Sequence, residues 1–272
     1  MFQWLRNRTR VRKDEKKSPY RGRAIFARYD AAETTDDNYR HWAAADGLSA
    51  SAAASTEVRR TLRNRCRYEV ANNSYARGIV STLANDIVGT GPRLQMLLEN
   101  AEANRYIEQR FAQWAAEVHL AAKLRTMRMA RAQDGEAFAL LKSNPAIKNP
   151  VKLDIQLIEA DQVTTPDLTP EQENAVDGIR FDSHGNPVEY HVLPEHPGDM
   201  FSGYTGDYLR IPAESMIHYF REERPGQARG IPDLTPSLPL FAQLRRFTLA
   251  VLTAAETAAD FAAVIFTDAP AG

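Results

Sequence analysis

The ten residues QDGEAFALLK, at positions 133–142, mark the point where the sequence changes character. Before them, apolar residues recur at helical spacing, whereas Glu136 to Lys142 form a short apolar run typical of a β-strand. Glycine favours turns, so we interpret Asp134-Gly135-Glu136 as a helix-to-strand turn, and its two carboxylates need no catalytic explanation. The stretch therefore separates a helical region from a β region, as in an α+β fold.

The region before this turn is predicted to be helical. Thr56 suits the N-cap of a helix over about 57–88, which Gly89-Thr90-Gly91-Pro92 ends. Apolar residues recur at every fourth position, with a shift of phase at the Asn72-Asn73 pair: Val58, Leu62, Cys66 and Val70, then Tyr75, Ile79, Leu83 and Ile87. We therefore expect Ile79, Leu83 and Ile87 to lie on the buried face. Two further helices are predicted at about 101–118 and 121–133.

The region after the turn is predicted to consist of antiparallel strands. Residues 151–157 alternate strictly between apolar and polar side chains, the pattern of a half-buried strand. Residues 182–187, with the sequence DSHGNP, have the composition of a hairpin loop. Further short strands are predicted at 178–181, 188–193, 208–211 and 216–220.

A long helix is predicted from about Pro236 to Phe266. Its wide apolar face is formed by Leu240, Leu244, Phe247, Val251 and Leu252, followed by small alanines. Glu256 and Asp260 would be costly at the centre of a bilayer, so we do not expect a membrane span. We expect the face to pack against elements outside this sequence or against neighbouring subunits. The chain should then be aggregation-prone or ring-forming.

These patterns predict an α+β fold with N-terminal amphipathic helices, a central antiparallel β region and a long C-terminal helix. The predicted domain boundaries follow the changes in composition. They give a basic, disordered arm at 1–28, a helical region at 29–133, an antiparallel β region at 134–222, and a loop with the long helix at 223–272.

The composition is that of an ordinary folded protein. The chain has 272 residues, 34 Lys and Arg against 35 Asp and Glu, and 43% hydrophobic residues. These values exclude a wholly disordered, collagen-like or low-complexity chain. Cys66 is the single cysteine, which excludes an internal disulfide and a cysteine-based zinc site and indicates a reducing compartment. No apolar run follows Met1, so no signal peptide is predicted.

The positive charge is concentrated at the N-terminus. Residues 1–28 hold ten basic and two acidic side chains, a formal charge of +8, so that the remainder carries −9. Basic arms of this kind bind nucleic acid or acidic protein surfaces, or act only as solvated tails. The candidate contact residues of the arm are Arg6, Arg8, Arg10 and Arg12. A nucleic-acid-binding module that acts through this arm is the alternative to the main functional interpretation given below.

The sequence contains no recognisable catalytic constellation. Gly89-Thr90-Gly91 lacks the Lys-Ser/Thr of a phosphate loop and follows a helix, and no Gly-x-Ser-x-Gly or His-Glu-x-x-His motif is present. Cys66, on an apolar helix face, is typical of a packed thiol. We therefore expect no enzyme activity and no catalytic, cofactor-binding or metal-binding residue. A metal site at His191 and His196, or a hydrolase using histidines of the β region such as His218, is the remaining alternative.

The segment 224–230, RPGQARG, is predicted to be a stiff contact loop between a strand and the last helix. The candidate interaction residues are Arg224, Gln227 and Arg229. A guanidinium group pairs well with carboxylate or phosphate, so we expect at least one of the two arginines to pair with a carboxylate of the same or a neighbouring subunit. A rigid connector without a contact role is the simpler interpretation.

Six segments in order resemble the lambda-type portal proteins of tailed bacteriophages. Each is weak alone, but together they are specific and cover about residues 25–266. They are Tyr29-Asp30-Ala31-Ala32; the helix that runs from Arg63-Asn64-Arg65-Cys66-Arg67 to Asn72-Asn73-Ser74-Tyr75-Ala76; Val88-Gly89-Thr90-Gly91; Asp134-Gly135-Glu136; Glu159-Ala160-Asp161; and Arg224-Pro225-Gly226-Gln227-Ala228-Arg229-Gly230.

The resemblance implies a structural protein of the virion with wing and stem elements. Portal proteins form a homo-oligomeric, typically dodecameric ring at one capsid vertex, the head–tail connector. Double-stranded DNA passes through the ring during packaging and genome ejection. The resemblance also implies docking of terminase, capsid or scaffolding protein, and head-completion and tail proteins, with assembly in the host cytoplasm. It implies no cofactor and no membrane.

The sequence departs from this family in length. Lambda-type portals are considerably longer, and the sequence stops at Asp268-Ala269-Pro270-Ala271-Gly272, just after the long helix. The C-terminal half of the family pattern is missing. We therefore expect a truncated, split or fragmentary portal.

Overall fold

The computed structural model describes residue 32 and residues 34–165, 174–199 and 208–260. The chain divides into two units, Met1–Gly47 and Leu48–Gly272. In the described part of the first unit, residues 36–44 form consecutive turns, one of them closed by the Tyr39 N–H donating to the Thr35 carbonyl at 3.0 Å. All helices and strands given below lie in the second unit.

Five helices precede the first strand in the described part of the chain. They are α1 (Ala50–Ala53), α2 (Thr56–Asn72), α3 (Ser74–Val88), α4 (Ala101–Glu117) and α5 (Leu120–Asp134). The predicted helix over 57–88 is thus two helices. Asn73 between them has an extended backbone, and its side chain caps α3 by accepting a hydrogen bond from the Tyr75 N–H at 3.0 Å. The Asn72-Asn73 pair therefore marks a helix boundary.

The buried face of α3 differs from the predicted one. Ala76 and Val80 are fully buried, whereas Ile79, Leu83 and Ile87 are 45%, 38% and 62% exposed. The prediction that these three residues are buried was therefore wrong. The small side chains of α3 face the chain's own core, where close approach of neighbouring helices leaves no room for larger ones, and the large apolar side chains point outward.

Two antiparallel sheets form the β region. The first has the order β2-β1-β7, with β1 (Glu136–Ser143) between β2 (Leu153–Ile158) and β7 (Met216–Phe220). The second has the order β3-β4-β5-β6, formed by β3 (Ala175–Val176), β4 (Ile179–Phe181), β5 (Pro187–Val192) and β6 (Leu209–Pro212). The predicted α+β class with an antiparallel β region is confirmed.

Three apolar clusters form the core. Helices α4 and α5 pack on one face of the first sheet through Trp114, Met127 and Ala139. Phe138 of the first sheet packs against residues of the second sheet, among them Tyr190. The third cluster joins α2, α3 and α5 to the start of the last helix. Each strand of the first sheet therefore contributes side chains to the first two clusters.

The last helix, α6 (Leu238–Asp260), follows a 3₁₀ turn at Thr235–Ser237. Phe241 anchors it in the third cluster and is 7% exposed, whereas every side chain from residue 246 to 260 is exposed. The predicted long helix is confirmed up to Asp260, and the part of the prediction beyond that residue lies outside the described residues. Among the described residues, no helix combines the length and the apolar character that a membrane crossing requires.

Candidate interaction site

Arg229 lies in the loop between β7 and α6, and its side chain is the largest fully buried one in the described part of the chain. Its Nε donates to both carboxylate oxygens of Glu136, at 3.0 and 2.9 Å, and its Nη2 donates to Glu136 at 2.7 Å. Its Nη1 donates to the carbonyls of Val163 (3.0 Å) and Asp177. The guanidinium therefore joins the loop, β1 and the segments that lead into the second sheet.

Glu136 is completely buried and accepts hydrogen bonds on all sides. Besides Arg229, the Gly230 N–H donates to it at 3.0 Å and His218 Nε2 donates at 2.9 Å. Burial raises the pKa of the Glu136 carboxyl, but the Arg229 charge and the hydrogen bonds from His218 and Arg229 outweigh burial and hold that pKa well below its usual range. Glu136 is thus a buried carboxylate, stabilised as an anion.

His218 is enclosed by aromatic rings. Its ring stacks on Phe138 and on Phe220, with centroid distances of 4.3 Å in both cases. Burial lowers the pKa of His218, and the hydrogen bond to Glu136 only partly opposes that effect. Near neutral pH the ring is uncharged and donates its Nε2 hydrogen to Glu136. The geometry therefore gives His218 a structural explanation instead of the hydrolytic role considered above.

Two glycines allow the loop to reach Glu136. Gly135, between α5 and β1, has a φ of 91° in the left-handed region, which favours glycine. Gly230 passes directly over it, so that a Cβ at Gly230 would lie 2.1 Å from the Gly135 carbonyl oxygen. The backbones of the α5–β1 turn and the loop touch, and this contact places Arg229 beside Glu136.

Three arginines of α2 extend the network. Arg59, Arg63 and Arg67 are spaced four residues apart and therefore share one face of the helix. Arg59 pairs with Asp177, and Arg63 lies 3.5 Å from Glu136. Arg67 pairs with Asp134 at 2.6 Å and Asp161 at 2.8 Å. The sequence alone predicts no role for this row, although its four-residue spacing is a visible signal.

Next to this network, Glu159, Asp161 and His196 form a set of side chains of the types that bind metal ions. The Arg67 guanidinium pairs with Glu159 at 3.2 Å and with Asp161 at 2.8 Å. Both carboxylates therefore have a cationic partner within the chain, and Arg63 also pairs with Asp161. Coulomb attraction to these arginines holds the two carboxylates close together.

The remaining cysteine and histidine candidates lie in different environments. Cys66 is fully buried, and burial, with the nearby Asp134 and Glu69 charges, raises the pKa of its thiol to about 12. His191, in β5, lies 2.9 Å from the Glu189 carboxylate, and His184 lies in the exposed hairpin loop. The packed-thiol interpretation of Cys66 agrees with its burial.

The three predicted interaction residues of the loop lie in different environments. Arg229 meets the expectation that one arginine pairs with a carboxylate, and it does so within the chain. Gln227 is also buried and braces the loop by donating to the Arg229 carbonyl at 2.9 Å. Arg224 is exposed and donates to the Leu48 carbonyl at 2.9 Å. Arg6, Arg8, Arg10 and Arg12 lie outside the described residues.

Two exposed apolar surfaces lie outside the buried network. We name the first the α3 row; it consists of Tyr75, Ile79, Leu83 and Ile87, which are 66%, 45%, 38% and 62% exposed. We name the second the α6 stripe; its large members are Leu240, Leu244, Phe247 and Val251, which are 62%, 37%, 65% and 50% exposed. Apolar surface of this extent on two helices is typical of a protein that associates.

Comparison with known proteins adds to this geometry. Residues 37–272 match a family described as phage portal protein, lambda family. A protein of Halomonas phage phiHAP-1, named "Probable portal protein", is 29% identical over 189 residues, which are 62% of this chain and 36% of that relative. The chain thus corresponds to little more than a third of the length of that relative.

Proposed function

Because the chain belongs to the lambda family of phage portal proteins, we propose that it is a portal subunit, or one part of a portal subunit. In this proposal, copies of it form a ring at one capsid vertex, and double-stranded DNA passes through the ring during packaging and ejection. Terminase docks on the ring during packaging, and head-completion and tail proteins bind afterwards. The observation that carries the proposal is the family match over residues 37–272.

The described part of the chain supports a structural role. A buried network of charged side chains joins α2, β1 and the loop before α6, as a rigid scaffold requires. Its exposed apolar side chains lie in rows on two helices, as an assembling protein requires. Both features suit a component that positions other molecules.

The charge distribution supports passage of DNA. The chain outside the basic arm carries a formal charge of −9. A strongly basic channel wall would hold each phosphate by releasing counterions, whereas a weakly acidic wall lets the duplex slide. We therefore place the basic arm, residues 1–28, away from the sliding path.

The test is a deletion of the coding segment from the phage genome. We expect infected cells to accumulate capsids without DNA, and a plasmid copy of the segment to restore packaged DNA. The empty plasmid is the control. Normal DNA-filled particles after the deletion would overturn the proposal.

A nucleic-acid-binding module is the second candidate, and the ten basic residues of the arm favour it. Removal of residues 1–28 distinguishes the two functions. A portal subunit retains its assembly after this truncation, whereas a binding module loses its affinity for DNA at low salt and has no assembly to retain. Gel-shift titration and light scattering of both chains measure the difference.

A further inference from the structure

The α6 stripe continues as a heptad pattern. From Leu240, apolar residues follow at alternating steps of four and three. The members are Leu240, Leu244, Phe247, Val251, Ala254 and Ala258. This spacing keeps side chains on one seam of a helix and is the pattern by which one helix packs lengthwise on another. The alanines at its distal end permit close approach of a partner helix.

The stripe does not hold α6 to its own chain. The contacts that do so are made by Phe241, which is buried in the third cluster, and by Arg245, which pairs with Glu69 and lies over the Tyr68 ring. Both residues follow stripe members by one position, so they are rotated from the stripe by about 100°. The seam is therefore a separate surface that the described residues leave uncovered.

The basic arm of this sequence does not suit the stripe. From Leu240 to Ala258 the stripe is about 27 Å long at 1.5 Å per residue. The arm at 1–28 carries a charge of +8, and covering apolar side chains with it would desolvate its cations.

The α3 row has the properties of a partner surface. Its four large apolar side chains lie on one line of four-residue steps, which forms a ridge. From Tyr75 to Ile87 the ridge is about 18 Å long, close to the roughly 16 Å between Leu240 and Val251 of the α6 stripe. Such a ridge packs at a crossing angle of about 20° on a helix that presents rows of three-residue steps, whereas two sets of four-residue rows cross at about 50°.

We propose that the α6 stripe of one copy packs lengthwise on the α3 row of a second copy. The two surfaces are different, so the contact is heterologous, and its repetition generates a ring when the rotation closes. The inference rests on the proposed function, because a portal requires a closed ring. It names the subunit surfaces that would form that ring.

Cross-linking between single-cysteine variants tests the contact. Val251→Cys places a thiol on the α6 stripe and Ile79→Cys places one on the α3 row, while native Cys66 is fully buried. A short bismaleimide is added to each variant alone and to a co-refolded mixture. We expect a covalent dimer in the mixture and none in either variant alone. A chain with both substitutions should give a ladder of higher species.

Matched controls use the other sides of the same helices. Thr253→Cys and Arg77→Cys lie at exposed positions close in sequence to the test positions but rotated away from the two surfaces. Their mixture should give no covalent dimer. Likewise, Val251→Glu should lower the mass of the assembled protein in light scattering, whereas Thr253→Glu should leave it unchanged.

Three outcomes would overturn the contact. Dimers from Val251→Cys alone would show that the α6 stripe packs on the α6 stripe of a second copy. Monomers at every concentration would assign the stripe to a segment outside this sequence. Rings in electron micrographs without the mixed cross-link would place the subunit interface elsewhere and leave the portal function intact. The genome deletion described above tests that function independently of this contact.

Discussion

At the scale of single residues, the pairing of Arg229 with Glu136 determines how the loop meets the sheet. The sequence predicts that an arginine of this loop pairs with a carboxylate, and Arg229 does so. It does not predict the partner, because Glu136 lies 93 residues away along the chain and tertiary packing brings the two together. Periodicity reports which face of an element is apolar and carries no information on such distant pairs.

Arg229→Met should destabilise the protein strongly. The substitution leaves the Glu136 carboxylate buried without its closest cation, and such a loss costs about 3–5 kcal/mol in comparable ion pairs. Arg224→Met, in the same loop but exposed, should change the free energy of unfolding by less than about 0.5 kcal/mol. Urea unfolding of both variants measures the difference. Equal stabilities would contradict the assignment of Arg229 as the anchor.

His218 should make stability depend on pH. Its pKa is lowered in the folded state, so the unfolded chain takes up the proton first as the pH falls through the ordinary value of 6.5. Stability should therefore decrease from pH 7.5 to pH 5. His218→Gln retains an N–H donor toward Glu136 but does not titrate, and it should flatten this part of the profile. His184→Gln, in the exposed hairpin loop, should leave the profile unchanged.

At the scale of elements, α3 shows where helical periodicity misleads. The helix has two apolar faces, one of small residues such as Ala76 and Val80 and one of large residues such as Leu83. Amphipathicity assigns the larger side chains to the core, and that prediction was wrong here. The end of α3 after Val88, the α5–β1 turn and the antiparallel strands were predicted correctly, because glycine and strand alternation are local signals.

Substitutions on the buried face of α3 should destabilise the protein more than substitutions on its exposed face. Val80→Ala should lower the free energy of unfolding by about 2 kcal/mol, because it removes two buried methyl groups and leaves a cavity. Leu83→Ala should cost less than about 1 kcal/mol at low protein concentration, since Leu83 is 38% exposed. Thermal unfolding of dilute samples compares them. If Leu83→Ala destabilised the protein more than Val80→Ala, the result would contradict the buried face described here and support the sequence-based prediction that Leu83 is buried.

The α5–β1 turn and the loop lie too close together for a side chain at position 230. Gly230→Ala places a Cβ against the Gly135 backbone and should cost at least about 2 kcal/mol. Gly78→Ala, on an exposed side of α3 with open space around it, should instead stabilise the protein by about 0.5–1 kcal/mol. Denaturant midpoints measure both changes. A neutral Gly230→Ala variant would show that the two backbones can separate.

At the scale of the whole molecule, the chain combines a tightly joined body with uncovered helix surfaces. The sequence predicts the α+β class and the apolar face of the last helix. It does not predict the two separate sheets or the row of Arg59, Arg63 and Arg67 that joins them, because both depend on contacts between distant segments. The domain boundaries and the contact role of the loop arginines remain proposals.

The uncovered surfaces should make the chain associate. We expect light scattering to give a mass above 30.5 kDa that rises with protein concentration, because apolar rows on two helices are exposed in a single copy. A detergent below its micelle concentration should reduce the mass. A constant mass of 30.5 kDa across the concentration series would contradict the expectation.

The position of Arg229 in the chain also sets an order of events during synthesis. A ribosome adding about 5–20 residues per second needs about 5–20 seconds to pass from Glu136 to Arg229. Throughout that interval, Glu136 lacks the Arg229 guanidinium, which is its closest cation in the folded chain. The body can close only when the loop emerges, and α6 begins nine residues later. The helix with the exposed apolar stripe therefore leaves the ribosome on a chain whose body is ready to fold, which delays contact between unfinished copies on one polysome.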